Sequence, residues 1–260
     1  MSDVELLTQT TAWDTESEDF YTALKRIWEE NLLYYKGVQT GVENIRGKDS
    51  KAVENRIWMA CETMIPIATS RLPDTIVKPG AEDEQSGIDA ADLQDILNFH
   101  FERVGIQQKA ERWMRDMFVK RYGVFRYEWD KKIDAVGVRD IAPRRIRVAK
   151  FGKTMEELAF VREEMELSFD SLVTNFGQAK ADEIKTEKQP RSEQQVRKNT
   201  YTIFLYVTND FWVYRYGTKI VKSEKNPYYD LEDESKNFFD RSKKPYVIKS
   251  LFETEECIIG

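Results

Sequence analysis

Histidine is almost missing from this chain: His100 is the only one in 260 residues. A metal site needs clustered ligands, and a Ser-His-Asp or Cys-His arrangement could draw only on His100. That residue sits in the Leu97–Phe101 stretch of an expected helix and reads as a packed or half-exposed helical side chain. Cysteine is nearly as scarce. Cys61 and Cys257 are the only two, far apart and without CxxC spacing, which excludes a disulfide framework or a cysteine zinc site. Phosphate-cradling loops of the GxxxxGK[ST] or GxGxxG type are absent, and so is a GxSxG nucleophile elbow. The 12 glycines are scattered as expected helix stops and turns. No apolar run approaches the length of a membrane-crossing helix, and the mean hydropathy is −0.62. The opening Met1-Ser2-Asp3-Val4-Glu5 lacks the basic and apolar regions of a secretory signal. The expectation is a chain that folds in a cytoplasm, with no catalytic, cofactor-binding or metal residues and no membrane.

What is present is core material and charge. Hydrophobic residues make up 41% of the chain and aromatics 12%, enough to fill a real core, while 33% are charged. The length suits one large domain or two small ones. The net charge of −6 argues against a dedicated DNA binder that neutralises phosphates. It leaves open a protein that surrounds DNA without gripping it.

Residues 1–20 are acidic, with Asp3, Glu5, Asp14, Glu16, Glu18 and Asp19 and no Lys or Arg before Lys25. They read as a mobile or partner-docked tail. Thr15-Glu16-Ser17-Glu18 has capping-box spacing, and Phe20, Leu24, Ile27, Trp28, Leu32 and Tyr35 predict a helix to Lys36 stopped by Gly37. Ser50 is the expected cap of a second helix with Val53, Ile57, Cys61, Met64 and Ala68 on one stripe, kinked or ended at Pro66. Asp89 is the expected cap of a third helix through Leu93, Ile96, Leu97 and Phe101 to Gly105. A fourth carries Ala110, Trp113, Met114, Met117 and Phe118 to Gly123. There the period changes to alternation at Phe125, Tyr127 and Trp129, with a turn at Asp130-Lys131-Lys132 and a return at Val136–Val138. Residues 157–167 look extended, and Ser168 caps a short helix ended by Gly177. Residues 179–198 read as a charged surface excursion. A hairpin follows, residues 201–207 and 211–216, prolonged over 219–222, then a Tyr/Phe/Asp-rich loop over 226–240 and a last strand at Tyr246–Ile248. The class is α+β: a helical part over 21–123, then a mostly antiparallel β-rich part over 124–260.

Three groups could carry chemistry. Acid runs at Glu156-Glu157, Glu163-Glu164-Glu166 and Asp230 with Glu232-Asp233-Glu234 supply the carboxylates of a glycosidase, yet neighbours on a strand point to opposite faces. A basic cluster, Arg139, Arg144, Arg145, Arg147 and Lys150 around Pro143, is a candidate phosphate contact, a solvated loop, or an inter-subunit ion-pair patch facing the acidic tail. Arg126 and Tyr127 lie near it in the expected sheet. The hairpin aromatics Tyr201, Phe204, Tyr206, Phe211, Trp212, Tyr214 and Tyr216 fall on both faces with Arg215 nearly alone. That favours core plus subunit interface over a stacking platform.

Weaker motifs share an order. The first are Trp28-x-x-Asn31-x-x-x-Tyr35-x-Gly37-x-Gln39, Asn55-Arg56-Ile57, Glu62-Thr63-Met64-Ile65-Pro66, Leu72-Pro73 and Val77-Lys78-Pro79. Next come Met114-x-x-Met117-x-x-x-Arg121-Tyr122-Gly123-Val124, Glu128-Trp129-Asp130 and the Val138–Lys150 stretch. Phe160-Val161-Arg162-Glu163, Met165–Asp170, Leu172-x-x-x-Phe176-Gly177 and Asp210-Phe211-Trp212 follow. Last are Asn226-Pro227-Tyr228-Tyr229 and Phe238-Phe239-Asp240-Arg241-x-Lys243-Lys244-Pro245-Tyr246. In this order, from Trp28 onward, the chain resembles the portal (head-to-tail connector) proteins of short-tailed and related bacteriophages. The resemblance implies a portal wing-like region of a structural subunit in a homo-oligomeric ring of about twelve copies joined head to tail. Such a ring sits at one capsid vertex of the virion and is assembled in the host cytoplasm. It meets the major capsid protein, the terminase packaging motor and the tail or adaptor proteins, and double-stranded DNA passes through it non-specifically. The stem, clip and crown of portals are missing here, and the apolar Cys257-Ile258-Ile259 suggests that more chain follows. The alternatives are a cytoplasmic carboxylate-dependent enzyme of glycoside-processing type and a monomeric adaptor domain.

Overall fold

The computed structural model describes residues 2–38, 54–70, 76–80, 84–130, 134–187, 199–228 and 244–250. The class is α+β, with helices first and antiparallel strands after. Helices α1 (Asp3–Tyr35), α2 (Arg56–Thr69), α3 (Glu84–Arg103) and α4 (Ile106–Lys120) precede strands β1 (Tyr122–Asp130) and β2 (Ala135–Ile141). A 3-10 turn at Pro143–Arg145 leads to β3 (Ile146–Val148) and β4 (Val161–Ser168). Helices α5 (Phe169–Phe176) and α6 (Gln178–Thr186) come next, then β5 (Thr200–Val207), β6 (Phe211–Tyr216), β7 (Lys219–Lys225) and β8 (Tyr246–Ser250). The described residues divide into two compact units: those of 2–26 and 142–247 form one, those of 27–141 and 248–250 the other. This differs from a boundary at residue 123. The β1–β2 hairpin belongs with the helices because the Trp113 ring stacks on Phe125 at 5.2 Å and Arg112 pairs with Asp140 at 2.9 Å.

The first unit is built on a five-stranded antiparallel sheet of order β3-β4-β5-β6-β7. Strand alternation gives it two chemically distinct faces. On one, Met165 and Leu167 of β4 lie opposite Ile203 and Tyr201 of β5. Helices α5 and α6 cover these with Leu172, Ala181 and Ile184, all buried. Ser168 caps α5 as its sequence predicts, accepting from the Ser171 N–H at 3.2 Å. Residues 179–198 are not all a surface excursion: Ala181 and Ile184 put one side of α6 into this core. The rest of that segment, 188–198, lies outside the described residues.

The opposite face carries Arg147, Arg162, Phe204, Tyr206 and Arg215, neighbours across β3 to β6. It is covered by the segment read as an acidic tail. Residues 3–20 are instead the first half of a 33-residue helix. Leu6, Thr10, Ser17, Tyr21, Leu24 and Trp28 are buried along one stripe at three- and four-residue spacing. Trp13 completes it, stacking on Phe160 at 4.9 Å. The polar members satisfy themselves along the helix, the Thr10 hydroxyl donating to the Leu7 carbonyl and Ser17 to that of Trp13.

In the second unit, Gly37 stops α1 at φ +78° as predicted, and Trp28 meets Tyr122 edge-on at 5.7 Å. The sheet here has the order β2-β1-β8. Gly123 is required by close approach: a Cβ there would fall 2.4 Å from the Trp113 ring and 2.7 Å from the Trp113 carbonyl oxygen. The cap of α2 is Asn55, whose side chain accepts from the Trp58 N–H at 2.9 Å; Ser50 lies outside the described residues. Pro66 does not end this helix, which continues to Thr69. Its buried positions are Ile65 and Thr69, so the expected stripe of Ile57, Met64 and Ala68 faces outward. Helix α3 starts five residues before Asp89, at Glu84. The expected turn over 130–132 and loop over 226–240 lie largely outside the described residues.

Candidate interaction surfaces

The basic cluster does not act as one patch. Arg139 lies on β2 of the second unit and pairs with Glu128 at 3.1 Å. The other members belong to the first unit. Arg144 is exposed on the 3-10 turn, and Lys150 is exposed with its ammonium 5.5 Å from the Phe151 ring. Arg145 pairs with Glu166 at 3.0 Å. Arg147 is buried, donates to Glu18 at 2.5 Å and lies over the Tyr21 ring. The acidic α1 therefore meets this basic strand within its own chain.

The densest electrostatic feature lies beside it. Asp14 accepts from Arg162 at 2.7 Å and from the Tyr206 hydroxyl at 2.7 Å, and it also pairs with Arg215. Arg215, nearly alone in sequence, further donates to the Thr10 hydroxyl at 3.1 Å. Burial opposes the charge on Asp14, but Arg162, Tyr206 and Arg215 outweigh it and hold the carboxyl below its ordinary range. Burial above all, with Asp14 alongside, pushes the Tyr206 hydroxyl up. A hydrogen bond from Arg147 likewise lowers Glu18. Asp14 and Glu18 thereby tie the guanidinium groups of Arg162, Arg215 and Arg147 to α1, although Nε of Arg162 and of Arg215 stays buried without a hydrogen-bond partner among the described residues; the arrangement fixes a helix to a sheet.

The candidate acids do not converge. Glu163 is buried and accepts from the Tyr246 hydroxyl at 2.8 Å, while Glu164 and Glu166 point to the other face of β4. Glu157 accepts from the Lys153 N–H at 2.8 Å. The run at 230–234 lies outside the described residues. His100 is half-exposed and hydrogen-bonds the Val136 carbonyl at 2.6 Å. Among the described residues, no three His, Cys, Asp or Glu side chains gather as a metal site requires, and no helix is long and apolar enough to cross a membrane.

Several of the motif residues hold the framework together. Asn31 donates to the Val119 carbonyl at 3.1 Å. Asn55 donates to the Tyr35 carbonyl at 2.7 Å. Glu62 accepts from Arg115 at 2.9 Å and from the Tyr35 hydroxyl, and these two donors keep its carboxyl low. In the first unit, Asn226 bonds the carbonyls of Thr208 and Asn209. The fully buried Lys244 donates to the Met155 carbonyl at 3.0 Å and to the Asn209 side chain.

Two helix faces of the second unit remain open, and neither was legible as exposed in the sequence. On α2, Ile57 is 50% exposed, Ile67 is 69% exposed, and Met59 and Met64 are about half exposed. The helix has only two charged residues, Arg56 and Glu62, and the second is held by Arg115. On α3, Ile88, Leu93, Ile96 and Phe99 face outward. No family model and no curated protein sequence matches the chain.

Proposed function

We propose that this chain is the wing portion of a bacteriophage portal subunit, working as a structural ring component rather than as an enzyme. The observation that carries the reading is the outer face of α2. A helix of sequence RIWMACETMIPIAT that leaves Ile57, Met59, Met64 and Ile67 open resembles the apolar surface of a permanent oligomer cut in half. In a ring subunit a neighbouring copy covers such a face, and head-to-tail repetition closes the circle. The framework roles of Asn31, Asn55, Glu62, Asn226 and Lys244 support the same reading, because a portal motif specifies architecture and not chemistry. The net charge of −6 suits a channel wall along which DNA slides, since an acidic surface cannot trade condensed counterions for tight phosphate contacts.

Mass photometry at micromolar concentration tests it. The expected result is assemblies that are multiples of 30.6 kDa, reduced to single chains by Met64→Glu with Ile67→Glu. A wild-type protein that stays strictly monomeric, or variants that assemble unchanged, would remove the observation on which the reading stands.

A further inference from the structure

The outer face of α3 differs chemically from that of α2. We propose that it is a docking site for a lysine- and arginine-rich amphipathic helix of another protein. Ser86, Ala90, Gln94, Leu97, Asn98 and Phe101 form the covered side of the helix, with the Gln94 side chain accepting from the Val77 N–H. Ile88, Ile96 and Phe99 recur on the opposite side at helical spacing; Ile96 and Phe99 are 62% and 65% exposed, and Leu93 flanks them. Asp92 and Asp95 project from this same side, between Ile88 and Phe99. Over its whole length α3 carries Glu84, Asp89, Asp92, Asp95 and Glu102 against a single Arg103. Gln85 donates to Asp89; Asp92 and Asp95 make no ion pair with a described residue.

Acids set inside an apolar stripe choose the occupant. Two copies meeting through α3 in a two-fold contact would bring Asp92 and Asp95 against their own counterparts, and like charges oppose that. Nucleic-acid phosphates and anionic lipid headgroups are repelled for the same reason. A basic amphipathic helix satisfies both halves of the face, its apolar ridge packing against Ile88, Ile96 and Phe99 and its cations meeting the aspartates. The apolar surface has an aromatic extension. Trp129 and Val136 are cross-strand partners with exposed side chains, and His100 ties α3 to that hairpin through the Val136 carbonyl. An exposed tryptophan beside such a stripe is the residue type that most often anchors an interface.

The probe is a labelled synthetic peptide of leucine and lysine with leucines at helical spacing, titrated with the intact chain and read by fluorescence anisotropy. A matching leucine–glutamate peptide is the control. Saturable binding of the lysine peptide is expected, falling as salt rises, with slowed amide exchange over residues 84–103. Asp92→Lys with Asp95→Lys, and separately Ile96→Ser with Phe99→Ser, should each weaken it at least about tenfold. All four side chains point to solvent, so the circular dichroism of the charge-reversed protein should match that of the wild type. Absence of binding overturns the proposal. So does binding that survives both pairs of substitutions, equal binding of the glutamate peptide, or a fall in oligomer mass on Phe99→Ser, which would assign the face to a second copy.

Discussion

The Asp14 carboxylate on α1 lies 2.7 Å from the Arg162 guanidinium on β4, 148 residues further along the chain. It is the point at which an acidic N-terminal helix is fixed to a basic sheet face. Removing one partner of a buried charge network strands the others, at a cost of about 3 kcal/mol or more. Asp14→Ala is expected to lower the unfolding free energy by that amount, read as a fall in the urea midpoint, since both Arg162 and Arg215 lose their partner. A Glu16→Ala control on the exposed side of α1 should change little.

Acid should reproduce the same loss. The folded-state carboxyl of Asp14 is held below its unfolded value near 3.8. Its contribution is therefore complete above that pH and is lost as pH falls through the folded value. Urea midpoints of wild type and Asp14→Asn, measured from pH 6 downward, should differ by a constant margin and then converge below about pH 4. A margin that stays fixed to the lowest accessible pH would show that Asp14 acts through packing alone.

Two glycines give opposite expectations. Gly123→Ala drives a Cβ into the Trp113 ring and its backbone oxygen, and overpacking against backbone costs about 3 kcal/mol. Gly87 lies within α3 with open space around it, so Gly87→Ala should stabilise the helix by about 0.5–1 kcal/mol. Thermal melts of the two variants should shift in opposite directions. A neutral Gly123→Ala would mean that α4 and β1 are packed less closely than the Trp113 contact requires.

The sequence made the strands and short helices legible because local signals agreed: the Ser168 cap, the Gly37 and Gly177 stops, and the alternation of β1 and β5. The first half of α1 was hidden because two of its buried positions, Thr10 and Ser17, are polar and break the apolar period. Their hydroxyls bond back along the helix, which only coordinates reveal. The sequence places Arg147 in a basic cluster and leaves Arg215 nearly alone because their partners stand 129 and 201 residues away. On α2 the period was visible but its phase was not. An apolar helix gives no sign of which side the protein covers and which it leaves open, so the stripe through Ile57 and Met64 carries no mark of its exposure.

The basic cluster yields the prediction that bears most directly on a DNA channel. Arg147 is spent on Glu18 and Tyr21, and Arg145 on Glu166. Arg139 is itself exposed but spent on Glu128. That leaves Arg144 and Lys150 as the exposed cations of the set without an ion pair to a described residue. Two phosphate contacts release few counterions, and the overall charge of −6 opposes approach. Duplex DNA is therefore expected to bind no tighter than about 10⁻⁶ M at physiological salt, without sequence preference. Arg144→Glu with Lys150→Glu should weaken even that, without affecting stability. Arg147→Ala should do the reverse, lowering the urea midpoint by releasing α1 and leaving DNA affinity unchanged. Fluorescence anisotropy with a labelled duplex, across a salt series, separates these outcomes. A dissociation constant near 10⁻⁸ M, in the range of specific binders, would make the cluster a true nucleic-acid site and would be incompatible with a wall that lets DNA slide.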